Sequence, residues 1–277
     1  MSSAFAPANG SLIFQTYEAS ASHGRGSLGV GFTLDAGVVS RVSRLAGAGE
    51  SEILVGGEAW DFPTVRQVIR QLAPEPVRVE ITADLPFGCG FGMSGASALA
   101  TAYALGDLFQ LPHGQRALAL AAHEAEVDNA TGRGDVGGQY NGGFMMKTKI
   151  GEPLEVERLG IPDTTVYCRI FGPISTRDVL RDAATMDRVN AAGRAALEQL
   201  KNTPGMDLEG LLFLSREFAE ESGLLASPRV RHSIAEAERA GGQASMVMLG
   251  EAVVSSVPIA GARGYRVIRN PARVLPV

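Results

Sequence analysis

The residues best suited to chemistry in this sequence lie in one glycine-rich segment, where a strand should end and a helix begin. Glycines at alternate positions 88, 90 and 92 let a backbone approach a polyanion closely. Residues 94–105 are predicted to be helical, and the free amides and positive dipole end of a helix attract phosphate. We therefore predict a phosphate-binding loop made of Pro86, Gly88, Gly90, Phe91, Gly92, Met93, Ser94, Gly95 and Ala96.

Two acidic residues further along the chain could complete such a site. Glu124 shares a predicted helix face with Leu120 and Val127, and a carboxylate between apolar neighbours needs a cation. An arginine could supply that charge, and so could Mg²⁺, which takes one or two protein oxygens and completes its octahedron with phosphates and water. Asp135 follows eleven residues later on a glycine-flanked turn. It could cap a short helix or act as a base toward a substrate hydroxyl.

Hydrophobic periodicity predicts the elements that would position these residues. In the first half it predicts strands at 28–34, 37–43, 77–83 and 143–149, with helices at 94–105 and 115–129. In the second half it predicts a strand at 165–171, helices at 182–201, 208–222 and 229–240, and strands at 243–248 and 251–255. This order predicts an α+β fold rather than regular βα alternation. A Gly-Glu-Pro break at 151–153 predicts two domains, 1–152 and 153–277.

Composition argues against several classes of protein. The 277 residues include 25 Lys plus Arg and 30 Asp plus Glu, a net charge of −5 without a basic block. We therefore expect neither nucleic acid nor an anionic membrane as a partner. Two cysteines, Cys89 and Cys168, provide no metal-binding spacing and no disulfide framework. Because no leader pattern or long apolar run is recognised, we expect a cytoplasmic location.

The glycine-rich loop resembles the phosphate loop of the GHMP kinases, a family of small-molecule kinases, usually written P-x-x-x-G-L-G-S-S-A. It lacks the Lys-Ser/Thr ending of a P-loop. Five residues match in register, namely Pro86, Gly90, Gly92, Ser94 and Ala96, with Phe91 in place of leucine and Met93 in place of the first serine. The resemblance implies the GHMP kinase fold. That fold has an N-terminal α/β domain similar to a ribosomal-protein fold, a ferredoxin-like C-terminal domain, and the active site between them.

The same resemblance implies ATP and Mg²⁺ as cofactors. In family members with a catalytic aspartate, such as mevalonate kinase, a metal-binding glutamate precedes that aspartate by the interval found here. Carried over, Ser94 and Glu124 would hold Mg²⁺ and Asp135 would be the catalytic base. A small-molecule substrate and a homodimer are further expectations from the family.

Within the family, five ordered segments resemble the archaeal pantoate kinases: 26–31, 88–94, 122–127 with 134–136, 174–180 and 244–250. This resemblance implies ATP-dependent phosphorylation of the hydroxyl of a small carboxylic acid, with pantoate as the leading substrate. Three alternatives stay open. They are a kinase for another alcohol, a transferase similar to the β-ribofuranosylaminobenzene 5′-phosphate synthases, and a catalytically silent ligand-binding relative.

Several residues could bind the substrate. Ser175, Thr176 and Arg177 suit an anionic substrate or the transferred phosphate, although the hydroxyls could equally cap a helix. Residues 7–13 lack the histidine that pantoate kinases carry there, and the nearest histidines are His23 and His123. Asn9 and Ser11 could still hydrogen-bond a hydroxyl or carboxylate without adding charge. The resemblance adds Ser27 as a substrate residue and Arg177 as a catalytic one.

Overall fold

The computed structural model describes residues 1–18, 24–47 and 49–276. These residues form two β-sheets with helices packed on them, and this confirms the predicted α+β class. The first half contains β1 (Ser2–Glu18), β2 (Arg25–Arg44), β3 (Glu52–Val55), β4 (Glu58–Ala59), α1 (Pro63–Leu72), β5 (Val77–Ala83), α2 (Met93–Leu108), α3 (Gln115–Asp128), α4 (Asp135–Asn141), β6 (Phe144–Lys147) and β7 (Glu157–Arg158). The second half contains β8 (Thr164–Pro173), α5 (Thr176–Arg181), α6 (Ala183–Lys201), α7 (Leu208–Glu221), α8 (Pro228–Arg239), β9 (Ala244–Met246), β10 (Gly250–Ser255), β11 (Arg263–Val267) and β12 (Arg273–Val274).

A long antiparallel pair, β1 and β2, forms the centre of the larger sheet. Sequence periodicity missed β1 and divided β2 into two strands. Both strands are buried along most of their length, so neither shows a clean alternation of apolar and polar residues. β1 also shifts register between Pro7 and Asn9 and again between Ser11 and Ile13. These irregularities place the polar side chain of Asn9 inside the protein, where it is 4% exposed.

Helix α2 lies against this sheet and is surrounded by other elements. It packs on β1, β2, α1 and α3. Its residues are buried from Met93 to Tyr103 with few exceptions, and its many alanines and glycines let neighbouring backbones approach closely. Helix α1, which was not predicted, begins with Pro63 and buries Val65, Val68 and Ile69 at helical spacing. The two helices begin side by side, and this places the start of α1 next to the phosphate loop.

The smaller sheet has the strand order β11-β8-β10-β9 and is accompanied by α6, α7 and α8. Helix α6 packs against β1 so closely that a Cβ on Gly193 would lie 2.2 Å from the Phe14 carbonyl oxygen. Strand β12 returns to pair with β1 in the larger sheet. The division at 152/153 stays a prediction. Among the described residues, no helix combines the length and apolar character needed to cross a bilayer.

Candidate active site

The predicted phosphate loop joins β5 to α2, and its glycines have the backbone angles that such a loop needs. Gly88, Gly90 and Gly92 have φ values of 76°, 86° and 58°, in a region that favours glycine. Helix α2 begins at Met93 with Gly92 as its N-cap, and no described side chain caps this end. Its first amides are therefore free to bind an anion, and the dipole of the 16-residue helix adds to the attraction.

Contacts on both sides hold the loop in place. The side chains of Phe91 and Met93 are 1% and 2% exposed, so both positions of the pattern that depart from the family are packed in the core. The Phe91 carbonyl accepts a hydrogen bond of 3.0 Å from the amide of Asn9 on β1. On the opposite side a Cβ on Gly250 would lie 2.0 Å from the Cys89 carbonyl oxygen. The start of β10 therefore closes directly over the loop.

The remaining residues of the predicted loop differ in what they contact and in whether they border the cavity beside the loop. Ser94 donates a long hydrogen bond of 3.5 Å to Thr64 Oγ1 on α1. Gly95 faces α3, where a Cβ would lie 2.7 Å from Oε1 of Glu126. Pro86 is exposed and Ala96 is buried, and neither of these two borders the cavity beside the loop. The loop residues that line this cavity are Gly88, Gly90, Gly92, Met93 and Ser94.

Two carboxylates lie next to the loop: Glu126 is fully buried, and Asp135 is partly exposed and lines the cavity. Asp135 is the first residue of α4, with Gly134 as the N-cap, so its side chain does not cap the helix. Its Oδ1 accepts a hydrogen bond of 2.8 Å from Asn9 Nδ2. A Cβ on Gly132 would lie 2.4 Å from Glu126 Oε1 and 2.8 Å from Asp135 Oδ2, which shows that both carboxylates converge there. Both oxygens of Glu126 are buried, and their polar neighbours among the described residues, Asp135 and the Val136 amide, do not meet good hydrogen-bond geometry.

The structure separates Glu124, the glutamate predicted to bind the metal, from Glu126 on the same helix. Glu124 and Glu126 are two residues apart on α3, and at about 100° per residue they point to nearly opposite sides. Neither glutamate lines the cavity, but Glu126 is fully buried toward α2 and Asp135, whereas Glu124 is partly exposed. The family interval placed the predicted glutamate eleven residues before Asp135. Because the loop 129–134 lies between α3 and Asp135, that interval does not determine which face of α3 the glutamate occupies.

A buried lysine, which the sequence-based prediction missed, completes the polar cluster. Lys147 ends β6 and is 8% exposed, and its Nζ donates to the Gly134 carbonyl at 3.2 Å and to Ser27 Oγ at 3.5 Å. Arg133 also lines the cavity, 3.9 Å from Glu18. The available signal was a lone lysine at the end of the apolar run Phe-Met-Met. Such a residue is costly to bury unless its charge has a function or a partner.

Burial changes the protonation of the three ionisable groups in this cluster. It raises the pKa of Glu126 well above the ordinary value, and the nearby charge of Asp135 raises it further. Burial also raises the pKa of Asp135, while the hydrogen bond from Asn9 acts in the opposite direction. Burial lowers the pKa of Lys147 to about 8, against the attraction of Asp135 and Glu126. Shifts of this kind are typical of sites where protons move.

The cluster borders a cavity of about 110 Å³ that lies between the two sheets. Four of the predicted substrate residues, Asn9, Ser11, Ser27 and Thr176, line it, and so does Asp135. Met248 and Leu249, from the segment 244–250 that resembles the pantoate kinases, line it from the second half of the chain. The structure thus gathers the N-terminal segment, the phosphate loop and the segment 244–250 around one space.

The 175–177 element reaches the cavity only in part. Ser175 caps α5, where its Oγ accepts a hydrogen bond of 3.3 Å from the Asp178 amide. Thr176 lines the cavity, but Arg177 is exposed, donates to the Asn129 carbonyl at 3.2 Å and does not line it. Among the described residues, the cations that line the cavity are therefore Lys147 and Arg133 rather than Arg177. Of the two histidines nearest in sequence to residues 7–13, His123 is buried in α3 and His23 lies outside the described residues.

Comparison with known proteins agrees with this geometry. The sequence profile described as the GHMP kinases N terminal domain matches residues 62–143. A pantoate kinase of Methanocaldococcus jannaschii is 30% identical over 226 residues, 80% of each chain. A pantoate kinase of Thermococcus kodakarensis is 34% identical over 249 residues, 84% of this chain and 79% of that one. A solved structure titled "Phosphotransferase related to CoA biosynthesis pathway" has a TM-score of 0.86 and 27% identity, and covers 99% of this chain and 98% of that one.

Fold, loop and relatives together define a phosphotransferase that uses an alcohol group as acceptor. The chain belongs to the GHMP kinase family, and the relatives that show its membership are archaeal pantoate kinases. GHMP kinases take the phosphoryl group from ATP, so membership implies the same donor here.

Proposed function

We propose that this protein is an ATP- and Mg²⁺-dependent pantoate kinase, which transfers the γ-phosphoryl group to the primary hydroxyl of pantoate and forms 4-phosphopantoate. The observation that carries this proposal is that Asp135 and Lys147 line the same cavity beside the phosphate loop. A hydroxy acid needs two recognition elements, an acceptor or base for its hydroxyl and a cation for its carboxylate. The cavity offers both, and relatives at 30% and 34% identity are pantoate kinases.

Asp135 is proposed to hold the attacking hydroxyl and to accept its proton. The hydrogen bond from Asn9 to Oδ1 fixes the carboxylate of Asp135, which lines the cavity where the hydroxyl would bind. Because burial raises the pKa of Asp135, its carboxylate is a stronger base than an exposed aspartate. The loop amides at the start of α2 would hold the transferred phosphoryl group in line with that hydroxyl.

Ser94 and Glu126 are the proposed magnesium ligands, with Glu126 replacing the Glu124 of the sequence-based prediction. The residues fit this role because Glu126 carries two buried oxygens that lack a well-oriented donor, directly beside the first turn of α2. A carboxylate in that condition requires a proton or a cation. Bound Mg²⁺ would neutralise the charge on the triphosphate.

Lys147 is proposed to bind the carboxylate of pantoate, with Ser27 as a second donor. Lys147→Met should raise the KM for pantoate by about 10- to 150-fold, since hydrogen bonds to charged groups contribute about 1.5–3 kcal/mol. Lysine loses its charge as the pH rises through its pKa of about 8. The KM of the wild-type enzyme should therefore increase above that pH. Steady-state kinetics in pantoate between pH 6 and 10 measure both effects.

The matched control for this variant is Lys149→Met. Lys149 lies two residues further on, is exposed and pairs with Glu155 at 2.6 Å. The Lys149→Met variant should have a KM for pantoate within twofold of wild type. A Lys147→Met enzyme with an unchanged KM, or a KM that falls above pH 8, would contradict the proposed carboxylate contact.

The test of the function is a turnover assay on purified protein with ATP, Mg²⁺ and a panel of hydroxy acids and alcohols that includes (R)-pantoate. We expect ADP release and a product with the mass of phosphopantoate, at a kcat on the order of 1 s⁻¹ or more. ADP release with a different acceptor would overturn pantoate as the substrate and keep the kinase chemistry. Pyrophosphate release from a phosphorylated sugar would favour a synthase instead.

A further inference from the structure

Three aromatic side chains form a cluster at the start of the phosphate loop, which we call the aromatic cluster: Trp60, Phe62 and Phe87. The Phe87 ring centroid lies 5.7 Å from that of Trp60 and 5.6 Å from that of Phe62. Phe62 is 7% exposed and anchors the cluster in the core, whereas Trp60 is 47% exposed. A large aromatic surface, anchored by the buried Phe62, therefore faces solvent, and the proposed mechanism gives it no role.

The phosphate loop connects this aromatic cluster to the acidic pair. At the start of the loop Phe87 contacts Trp60, and at its end a Cβ on Gly92 would lie 2.8 Å from Cγ of Asp135. A second contact, between the start of α1 and the end of the loop, also holds this segment beside the loop. Thr64, four residues after Trp60, has its Oγ1 3.5 Å from Ser94 Oγ. The segment from Trp60 to Thr64 therefore lies alongside the loop over its whole length.

We infer that Trp60 stacks on the adenine base of the ATP whose phosphates the loop binds. This inference rests on the proposed function, which places the γ-phosphoryl group at Asp135. With that group at Asp135 and the other phosphates along the loop, the nucleoside extends toward the start of the loop, where Trp60 lies. Of the described residues that line the acceptor cavity, none belongs to the aromatic cluster, so the two substrates would occupy opposite ends of the loop.

The chemistry of the aromatic cluster suits a flat base. Stacking uses the π face that every nucleobase has, and a purine offers a larger face than a pyrimidine. Because Phe87 packs against Trp60 and is itself packed against Phe62, little side-chain freedom remains to be lost on binding. The base would therefore be recognised mainly through its surface, while the loop amides and α2 recognise the phosphates.

Tryptophan fluorescence tests this directly, because Trp60 is the one tryptophan in the sequence. Titration with ATP in Mg²⁺ should change the emission saturably. Tripolyphosphate with Mg²⁺ should displace ATP without producing that change, since it fills the loop but carries no base. Unchanged emission at ATP concentrations that saturate turnover would overturn the stacking.

Kinetics of Trp60 variants provide the second test. Trp60→Ala should raise the KM for ATP by about 5- to 150-fold, the range measured for loss of one stacked base. It should leave kcat and the KM for pantoate within twofold. Trp60→Phe should keep most of the affinity, because phenylalanine also stacks. Phe213→Ala, at another exposed aromatic residue on α7, is the control and should change neither KM.

The outcomes separate the stacking from the proposed function. A wild-type enzyme that phosphorylates pantoate, together with a Trp60→Ala variant of normal KM for ATP, overturns the stacking alone. ATP that changes the Trp60 emission in a protein that phosphorylates no acceptor overturns the kinase function and supports the stacking.

Discussion

Replacing Asp135 by asparagine should lower kcat by about 10²- to 10⁴-fold, the contribution typical of a positioned general base. Asparagine keeps the shape of the side chain, and its Oδ1 can still accept the hydrogen bond from Asn9 Nδ2. The variant therefore loses the basic carboxylate but not the packing. Pre-steady-state and steady-state assays with saturating ATP and pantoate measure the loss, and calorimetry with ATP measures nucleotide binding, which should stay within about threefold.

Asp128→Asn is the matched control for this variant. Asp128 ends the neighbouring helix α3, is about half exposed and pairs with Arg25 at 3.1 Å. Its replacement should leave kcat within twofold, because an exposed ion pair contributes little. Normal turnover in Asp135→Asn would remove Asp135 from the reaction. A parallel loss of ATP affinity would indicate a disturbed loop instead, since Gly92 approaches Asp135 closely.

Replacing Glu126 by glutamine should lower kcat/KM for MgATP by a hundredfold or more and raise the Mg²⁺ concentration needed for half-maximal rate. The reason is that metal neutralisation of transferring phosphates contributes several kcal/mol, and glutamine supplies only a neutral oxygen. Activity measured against free Mg²⁺ at fixed ATP reports both quantities. The buried carboxylate has no well-oriented donor to lose, so the folded state should tolerate the change.

The Glu124→Gln variant tests whether Glu124, as the sequence alone suggested, is the magnesium ligand instead of Glu126. Both variants change one glutamate on α3 to glutamine, but only Glu126 faces Asp135 and the start of α2. We expect Glu124→Gln to stay within twofold of wild type in rate and in its Mg²⁺ requirement. The reverse pattern, with Glu124 essential and Glu126 dispensable, would contradict the placement of the metal at Glu126.

Some parts of this protein follow from local sequence. The strand Val77–Ala83 was predicted with its observed bounds because its residues alternate between a buried and an exposed face. The phosphate loop was predicted because glycine at 88, 90 and 92 permits the backbone angles that the loop adopts. Both features depend on about ten consecutive residues. No distant part of the chain is needed to specify them.

Other parts could not be predicted in this way. Strand β1 is buried on both faces and interrupted by register shifts, so its sequence carries no period of two. Helical spacing identified the faces of α3 but not which face turns inward, because that depends on where α2 and α4 lie. The choice between Glu124 and Glu126 therefore needed the tertiary structure.

Neighbouring residues encode the α+β class, the glycine-rich loop and the glycine-flanked turn that carries Asp135, so these features could be predicted from the sequence. Which groups share the site depends on the packing of distant segments. The pairing of β6 with β2 places Lys147 opposite Gly29 and next to Ser27. The packing of α3 and α4 against α2 brings Glu126 to Asp135. Burial and charge in this cluster arise from contacts between residues far apart in the chain, which no local pattern records.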